Sequence, residues 1–194
     1  IVVVELPLPG KSRSWNRFVH DLSRSDADSL IFCDADIELP DPDTLRHLIE
    51  GLSADPELSV INSRPVKDLS YHPQKLRLVE RLIAAGAAGL DDWQTAICGQ
   101  LYAMPAKSAR RFHLPIGLPV EDGFLRAMVL TDALSRPDED LQRISGAETA
   151  FHIYASERKI GALLHHHTRI IVGSAINDAC FAYLNTLPAG ERQK

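Results

Sequence analysis

The sequence predicts an α/β fold in which a mixed, mainly parallel sheet is flanked by helices within a single domain, residues 1–194. Short apolar runs typical of buried strands alternate with longer segments in which apolar residues recur at helical spacing. The composition, with 45% hydrophobic and 24% charged residues, is ordinary for one globular domain with a sizeable core. Because ligands of open α/β sheets bind at the carboxyl ends of strands, polar residues at those ends are the first candidates for a site.

The charge balance and the cysteines restrict the class of protein. A net charge of −5 disfavours a general nucleic-acid binder, which needs a basic surface. The sequence has no apolar run long enough to span a bilayer and no recognisable signal peptide. The three cysteines, Cys33, Cys98 and Cys180, form no closely spaced pair and each lies among apolar residues, which predicts buried thiols. We therefore expect a cytoplasmic protein.

The first segment is a β-branched run, residues 1–4, which predicts a strand. A native chain seldom begins inside a strand, so we expect this sequence to be the later part of a larger domain. The turn GKSRSWN follows and leads into a helix. It is half of a phosphate-binding loop, since Glu5 stands where that loop requires glycine. Lys11 can still reach a diphosphate as a point charge. The alternatives are a solvated Lys11 and an Asn16 on the helix surface.

The stretch SLIFCDAD ends a predicted buried strand in two carboxylates, Asp34 and Asp36. Side chains two positions apart on a strand project the same way, so both acidic groups are expected together at the strand's end. Oxygen ligands of this kind favour a hard cation, Mg²⁺ or Mn²⁺, shared with substrate phosphates. The alternative is structural: one aspartate caps the following turn and the other is solvated.

The remaining patterns continue the alternation of strands and helices. They predict, in order, a helix with Asp41 as N-cap that runs to Leu52, a strand through Val60 that ends near Arg64, a helix over 73–90, a strand over 95–105 interrupted by Gly99, a helical turn over 106–112, a polar and mobile segment over 131–147, and a strand over 151–156. The glycine marks a bulge or a close approach to a ligand. Segment 131–147 is the candidate for a loop that closes over the site.

The loop LPIGLPV delivers Glu121 and Asp122 to the start of a predicted helix. Acidic residues are favoured at that position by capping and by the helix dipole, which is the purely structural explanation. The functional alternative is a carboxylate that takes a proton from a substrate hydroxyl, across the cavity from the metal.

Three consecutive histidines, residues 165–167, precede Arg169 and an apolar C-terminal helix. Neutral imidazole is a good ligand for transition metals, and Arg169 is suited to clamp a phosphate. The alternative is a set of partly exposed polar residues that enter the helix. The helix, over 171–184, is apolar enough to dock on the core or on a membrane surface. Peripheral contact with the inner face of the cytoplasmic membrane is therefore an expectation.

In their order, the segments GKSRSWN, LIFCDAD, a strand containing glycine, LPVEDGFLR and HHTRI resemble the family 2 glycosyltransferases, which have the GT-A fold. The resemblance extends roughly from the first strand to Gly173. It implies a GT-A-like sheet and an inverting transfer of a sugar from a nucleotide-diphosphate sugar to a hydroxyl acceptor, saccharide or lipid-linked. It also implies a divalent cation, Mn²⁺ or Mg²⁺. The family's first segment, which binds the nucleotide base, has no counterpart in this sequence.

The resemblance further implies roles for single residues. Its catalytic positions fall on Asp122, as general base, and on Glu121 beside it. Its metal-binding and donor-binding positions fall on Asp34 and Asp36 of the DxD motif, on Lys11, Asn16 and Arg169 for the donor, and on His166 or His167 as a third metal ligand. HHTRI departs from the Gln-x-x-Arg-Trp of processive members, because His166 and Ile170 replace Gln and Trp, so polymer synthesis is not expected.

Two other classes stay open. One is a phosphate-handling enzyme, either a P-loop-like nucleotide hydrolase or an aspartyl-phosphate phosphohydrolase, with Asp34 at the metal site or as nucleophile. The incomplete loop counts against the first, and Ile37 and Glu38 after the aspartates count against the second. The other class is a catalytically inactive glycosyltransferase-like binding domain, favoured by the missing first segment.

Overall fold

The computed structural model describes residues 2–72, 92–158 and 160–192, and these form a five-stranded mixed sheet with helices on both faces. The strands are β1 (Ser29–Cys33), β2 (Ile37–Glu38), β3 (Val60–Lys67), β4 (Leu101–Pro105) and β5 (Ile144–Tyr154), in the spatial order β1-β4-β3-β5-β2. The helices are α1 (Lys11–Arg17), continued by a π-helical turn (Phe18–Leu22), α2 (Thr44–Ala54), α3 (Asp68–Tyr71), α4 (Ala106–Ala109), α5 (Glu121–Leu130) and α6 (Ile160–Thr186), with 3₁₀ turns at Leu141–Arg143 and Ala189–Glu191. The helix predicted over 73–90 lies outside the described residues.

The α/β class is confirmed, but the prediction of a mainly parallel sheet is wrong. Among the described strands, β1 with β4, β3 with β4, and β2 with β5 pair antiparallel, and only β3 with β5 pairs parallel. Apolar runs indicate that a strand is covered on both faces, and helices on both faces of this sheet do cover it. The same runs carry no information on strand direction, which depends on how each connection crosses the sheet.

Alternation along the strands divides the core into two layers. Tyr102 and Met104 of β4 face the side covered by α1 and α5, and Leu101 and Ala103 face the side covered by α2. All four are at most 3% exposed. On the first side, Trp15 of α1 stacks between Phe32 and Phe112 with ring centroids 5.6 and 5.7 Å away, and its indole N–H donates to the Tyr102 hydroxyl at 3.1 Å. This aromatic cluster fixes α1 against the end of β1.

Two predicted elements near the N-terminus differ from those in the structure. Residues 2–4 are not a strand, and Val2 and Val3 are 88% exposed. Their β-branched composition favours a strand, but a strand forms only where an edge is available to pair with. The helix after the aspartates begins at Thr44 rather than beside Asp41. Asp41 instead closes the preceding turn, because its carboxylate accepts from the Asp43 amide at 2.9 Å.

The prediction of a mobile segment over 131–147 is wrong in its second half. Residues 144–147 belong to β5, where Ile144 pairs with Val60 and Ala147 with Ser63. In the first half, Asp132 accepts hydrogen bonds from both Arg111 and Arg143. The polar composition of the segment reflects these ion pairs rather than a free loop, and it is therefore a poor candidate for a closing lid.

Helix α6 begins eleven residues before the predicted 171–184 and includes the histidines. One face docks on the core: Gly173 lies against Val120, the Asn177 amide donates to the Val120 carbonyl at 3.0 Å, and Phe181 stacks on Phe124. The prediction that the helix docks on the core is thus confirmed. Other apolar side chains of this helix are exposed: Leu164, Ile170, Ile171, Val172, Ile176 and Tyr183. Within the described part of the chain, no helix is both long and apolar enough to cross a bilayer.

The predicted burial of the thiols holds only in part. Cys33, the last residue of edge strand β1, is exposed, whereas Cys98 and Cys180 are partly buried. All three are free thiols. The apolar run that suggested burial of Cys33 ends at the sheet edge, where one side of the strand has no neighbour among the described residues.

Candidate functional site

The ammonium group of Lys11 joins four segments of the chain. Its Nζ atom lies 3.0 Å from either carboxylate oxygen of Asp34, donates a hydrogen bond to the Gly99 carbonyl at 2.7 Å, and lies 3.4 Å from a carboxylate oxygen of Glu121. Lys11 is the first residue of α1, Asp34 follows β1, Gly99 precedes β4, and Glu121 opens α5. One cation therefore holds together the ends of four elements.

Local structure explains how these groups come to face one another. The amide of Asp34 donates to the Gln100 carbonyl at 2.8 Å, which extends the pairing of β1 and β4 by one residue. Gly99 then turns with a φ of +68°, in the left-handed region that favours glycine. The Gly99 carbonyl accepts a hydrogen bond from Lys11, a side chain of the same protein, and the predicted approach to a ligand stays a prediction.

Asp122 also lies beside Gly99. A Cβ built on Gly99 would be 3.4 Å from an Asp122 carboxylate oxygen and 3.6 Å from the Lys11 nitrogen. The Asp122 carboxylate and the Lys11 ammonium therefore both lie close to Gly99. The other oxygen of Asp122 accepts from the Gly123 amide at 2.9 Å, at the N-terminus of α5. The carboxylates predicted at two separate segments thus converge around Lys11.

The electrostatics of this acidic cluster (Asp34, Glu121 and Asp122 around Lys11) follow from burial and from like charge. Burial raises the pKa of Asp122, and the adjacent Glu121 carboxylate raises it further. Burial also raises the pKa of Asp34, together with Asp36 and Glu121, despite the opposing effect of Lys11. Burial lowers the pKa of Lys11, but Asp34 and Glu121 outweigh it and the net pKa is raised. Lys11 is therefore a fixed cation among more negative groups than it can neutralise.

Asp36 is the more exposed member of the predicted pair. Strand β1 ends at Cys33, so Asp34 and Asp36 lie in the turn between β1 and β2 rather than on the strand itself. Asp36 still contributes to the pKa of Asp34, so the two carboxylates remain within electrostatic reach. The prediction that both side chains project together from the end of the strand is therefore wrong, because the two residues lie in a turn, where Asp34 is half-buried and Asp36 is exposed.

The predicted metal ligands are not assembled as a set. In residues 2–72, 92–158 and 160–192, no three His, Cys, Asp or Glu side chains lie close enough to hold one ion. His166 and His167 are in α6, half-buried and exposed respectively. The oxygens around the Lys11 ammonium, from Asp34, Glu121 and the Gly99 carbonyl, are nevertheless the ligand type that Mg²⁺ and Mn²⁺ prefer. Lys11 stands in for a cation at this position, so the donor chemistry fits a divalent metal.

Arg169 and His166 lie on the exposed N-terminal half of α6. Arg169 is one helical turn before Gly173, on the face that packs against Val120, the residue preceding Glu121. The Arg169 side chain itself is exposed. Its predicted phosphate contact stays a prediction.

Asn16 has a structural partner. Its amide donates to the Leu114 carbonyl at 2.8 Å, and its carbonyl oxygen accepts from the Leu114 amide at 2.8 Å. Both polar groups of the side chain are used, which is the geometry of a clamp between α1 and the loop before α5. The predicted contact with a donor would need these bonds to open.

Sequence reasoning missed a buried network behind the cluster. His152 is fully buried in β5, with Nδ1 3.0 Å from the Ser63 hydroxyl and Nε2 2.9 Å from the Gln100 side-chain oxygen. The Gln100 carbonyl in turn accepts from the Asp34 amide. Burial lowers the pKa of His152 to about 4, so the ring is neutral near pH 7. Alternation in this strand predicted Phe151 and Ile153 inward and His152 outward, but His152 is buried as well because helices cover both faces of the sheet.

A cavity near the N-terminal segment lies away from this cluster. It has a volume of about 290 Å³ and is lined by Val4, Leu6, Leu8, Pro9, Ser14, Arg17 and Leu22. These side chains are mainly apolar and include no acidic group. The convergence of charged residues around Lys11, rather than cavity volume, therefore identifies the candidate site.

Comparison with known proteins adds no family to this geometry: no family model, curated protein or solved structure matches the chain.

Proposed function

We propose that the protein is a metal-dependent inverting glycosyltransferase of the GT-A type, which transfers a sugar from a nucleotide-diphosphate sugar to a hydroxyl acceptor. The observation that carries the proposal is the convergence of Asp34, Glu121 and Asp122, from distant parts of the sequence, around the Lys11 ammonium. A transfer of this kind needs one set of charges for a diphosphate and a separate carboxylate for the acceptor. Both requirements have candidates within a few ångströms.

The donor diphosphate is bound by Lys11, Asp34 and Asp36. Lys11 supplies a permanent positive charge for the phosphate oxygens, with Arg169 as a second cation approaching from α6. Asp34 and Asp36 would hold Mn²⁺ or Mg²⁺, which supplies Lewis-acid stabilisation of the negative charge that develops on the leaving diphosphate. Binding by Asp34 and Asp36 orients the donor so that its anomeric carbon faces the acceptor.

The acceptor half falls to Asp122. The acceptor hydroxyl gives its proton to the Asp122 carboxylate while its oxygen forms a bond to the anomeric carbon. The bond between that carbon and the diphosphate oxygen breaks, and the electron pair leaves with the nucleoside diphosphate. Attack from the face opposite the leaving group inverts the configuration. A raised pKa makes Asp122 a stronger base than an ordinary aspartate, and Glu121 beside it contributes to that raised value.

A thermal-shift experiment tests the donor site. Mn²⁺ together with UDP or GDP should raise the melting temperature, since a ligand that binds only the folded state stabilises it. Asp36→Ala should abolish the shift, whereas Glu38→Gln, an exposed acidic residue two positions along, should keep it. A shift with ATP alone would favour the phosphohydrolase. A protein that binds no nucleotide sugar and transfers no sugar would favour the inactive binding domain.

A further inference from the structure

The position between Asp34, Glu121 and the Gly99 carbonyl is already filled by a cation of the protein itself. The Lys11 nitrogen has Asp34 oxygens at 3.0 Å, the Gly99 carbonyl oxygen at 2.7 Å and a Glu121 oxygen at 3.4 Å. In the proposed function Asp34 and Asp36 would hold a divalent cation, so the Lys11 ammonium is bound to one of the two carboxylates that the cation would need. A lysine side chain is long enough to leave this position without any change in α1.

The ammonium group and a divalent cation exclude one another at this position. Two cations within hydrogen-bond distance of the same oxygens repel strongly, and partial burial weakens the screening by water. The side chains of Asp34 and Glu121 are 30% and 15% exposed, so both carboxylates are partly shielded from water, while the Lys11 side chain is 45% exposed. Hydrogen bonds from Lys11 also occupy the lone pairs that a metal would need.

The diphosphate of a donor offers Lys11 an alternative partner. Phosphate oxygens carry more negative charge than a backbone carbonyl and bind lysine as a point charge. If the ammonium moves to a phosphate, Asp34 and Glu121 lose their counter-ion, and their mutual repulsion then favours entry of a new cation. The two steps are therefore coupled through one side chain.

We propose that Lys11 is a tethered competitor of the divalent cation, so that Asp34 and Asp36 bind the cation well only after a diphosphate has drawn Lys11 away from Asp34. This inference rests on the proposed function and concerns the order in which its ligands bind. In the absence of nucleotide, the ammonium itself is the counter-ion of the cluster. Asp34 then keeps the ammonium as its counter-ion and does not take up free metal.

Mn²⁺ binding in the absence of nucleotide tests this competition. Free Mn²⁺ is measured by electron paramagnetic resonance during titration of the wild-type protein and of Lys11→Gln and Lys11→Met. Both neutral variants should bind Mn²⁺ at least about tenfold more tightly than the wild type. Lys11→Gln keeps a donor for the Gly99 carbonyl, and circular dichroism identifies either variant if it fails to fold. If one of the two neutral variants fails to fold, the other still tests the competition.

Two controls separate charge from other effects. Lys11→Arg retains the positive charge and should leave Mn²⁺ binding weak. Lys107→Gln removes an equal charge from the exposed side of α4 and should also leave it weak. Adding Asp34→Asn to Lys11→Gln should cancel the gain, because the competitor and one of its carboxylates are then both absent.

The outcomes distinguish this inference from the proposed function. Equal Mn²⁺ affinity in the wild type and both neutral variants overturns the competition but leaves a metal-dependent transfer intact. A gain in Lys11→Arg as large as in Lys11→Gln also overturns it, since charge would not be the cause. If no form binds Mn²⁺, the competition is overturned. If the wild type still binds none with UDP or GDP present, the metal-dependent function is overturned as well.

Discussion

The Lys11 ammonium lies 3.0 Å from the Asp34 carboxylate, although the two residues are 23 positions apart in the sequence. The pair joins the beginning of α1 to the end of β1, and the aromatic stack of Trp15 on Phe32 holds these elements in register. The ion pair is partly exposed, so on its own it adds little to stability. Its importance is positional, because it brings a permanent cation into a cluster of carboxylates.

Asp122→Asn should remove sugar transfer and keep donor binding. The amide cannot take the acceptor proton, so we expect kcat to fall by roughly 10²–10⁴-fold. The thermal shift by Mn²⁺ with UDP or GDP should be unchanged, because the diphosphate is bound by other residues. Steady-state assays measure the loss of transfer, and melting curves measure the retention of donor binding. Asp138→Asn, an exposed aspartate outside the cluster, is the matched control and should alter neither. If the Asp122→Asn variant still transfers sugar, Asp122 is not the general base.

The same substitution should not destabilise the protein at pH 7. A carboxyl whose pKa is raised on folding binds its proton more tightly in the folded state, so stability falls as the pH rises through that pKa. Ionised Asp122 therefore lowers the free energy of unfolding at pH 7, and an amide relieves that effect. Urea unfolding should give Asp122→Asn a stability equal to or above that of the wild type at pH 7. A clear loss of stability would mean that the carboxylate is held by favourable contacts instead.

Gly99→Ala should cost about 1–2 kcal/mol of stability, since its φ of +68° is strained for any residue with a Cβ. The added methyl group would touch Asp122 and Lys11 at ordinary contact distances, so no steric clash is expected. Gly117→Ala is the matched control: its φ is +88° and no atom lies within 4 Å of an added Cβ. Chemical denaturation should show similar losses for both. Only the Gly99 variant should weaken the nucleotide-dependent thermal shift. If both variants show the same shift, Gly99 is not part of the nucleotide-binding site.

Stability should decrease in acid because of His152. Its pKa is lowered to about 4 in the folded protein from an ordinary value near 6.5, so the unfolded chain binds the extra proton between these values. The contribution is fully present above pH 6.5 and is lost as the pH falls toward 4, by up to about 3 kcal/mol. Urea unfolding between pH 7 and pH 4 measures this slope.

His152→Gln should flatten that pH dependence, and exposed His72→Gln should leave it unchanged. If the unfolding free energy of His152→Gln changes with pH as steeply as that of the wild type, other groups cause the loss of stability in acid. Because Gln100 links His152 to the Asp34 amide, the variant should also broaden the nucleotide-dependent melting transition.

Asn16→Ala should destabilise the protein by about 1–3 kcal/mol, because it leaves backbone groups of buried Leu114 without partners. Arg17→Ala, on the exposed face of the same helix, removes a surface ion pair with Asp21 and should cost less than about 1 kcal/mol. Denaturation curves distinguish the two. An Asn16 variant of wild-type stability that loses nucleotide binding would instead support direct contact with the donor.

Local patterns in the sequence were sufficient to locate most elements and the segments that carry the site. Strand β1, helix α2 and helix α5 follow from hydrophobic periodicity and capping, and the acidic residues at their ends were recognisable as candidates. The glycine in the 95–105 segment was recognisable as an unusual position of the backbone, and its φ of +68° agrees with that. These signals are local, because they depend on neighbours within one or two turns.

The sequence by itself determined the α/β class, the approximate positions of β1, α2 and α5, and the identity of the charged residues at their ends. The tertiary structure decided the strand directions, the place of Lys11 among the carboxylates, and the burial of His152 against Gln100. The physical reason is range: the contact of Lys11 with Gly99 spans 88 positions, and no local periodicity encodes which distant groups meet. Such contacts are set by how helices pack on the sheet and by which edge each strand joins.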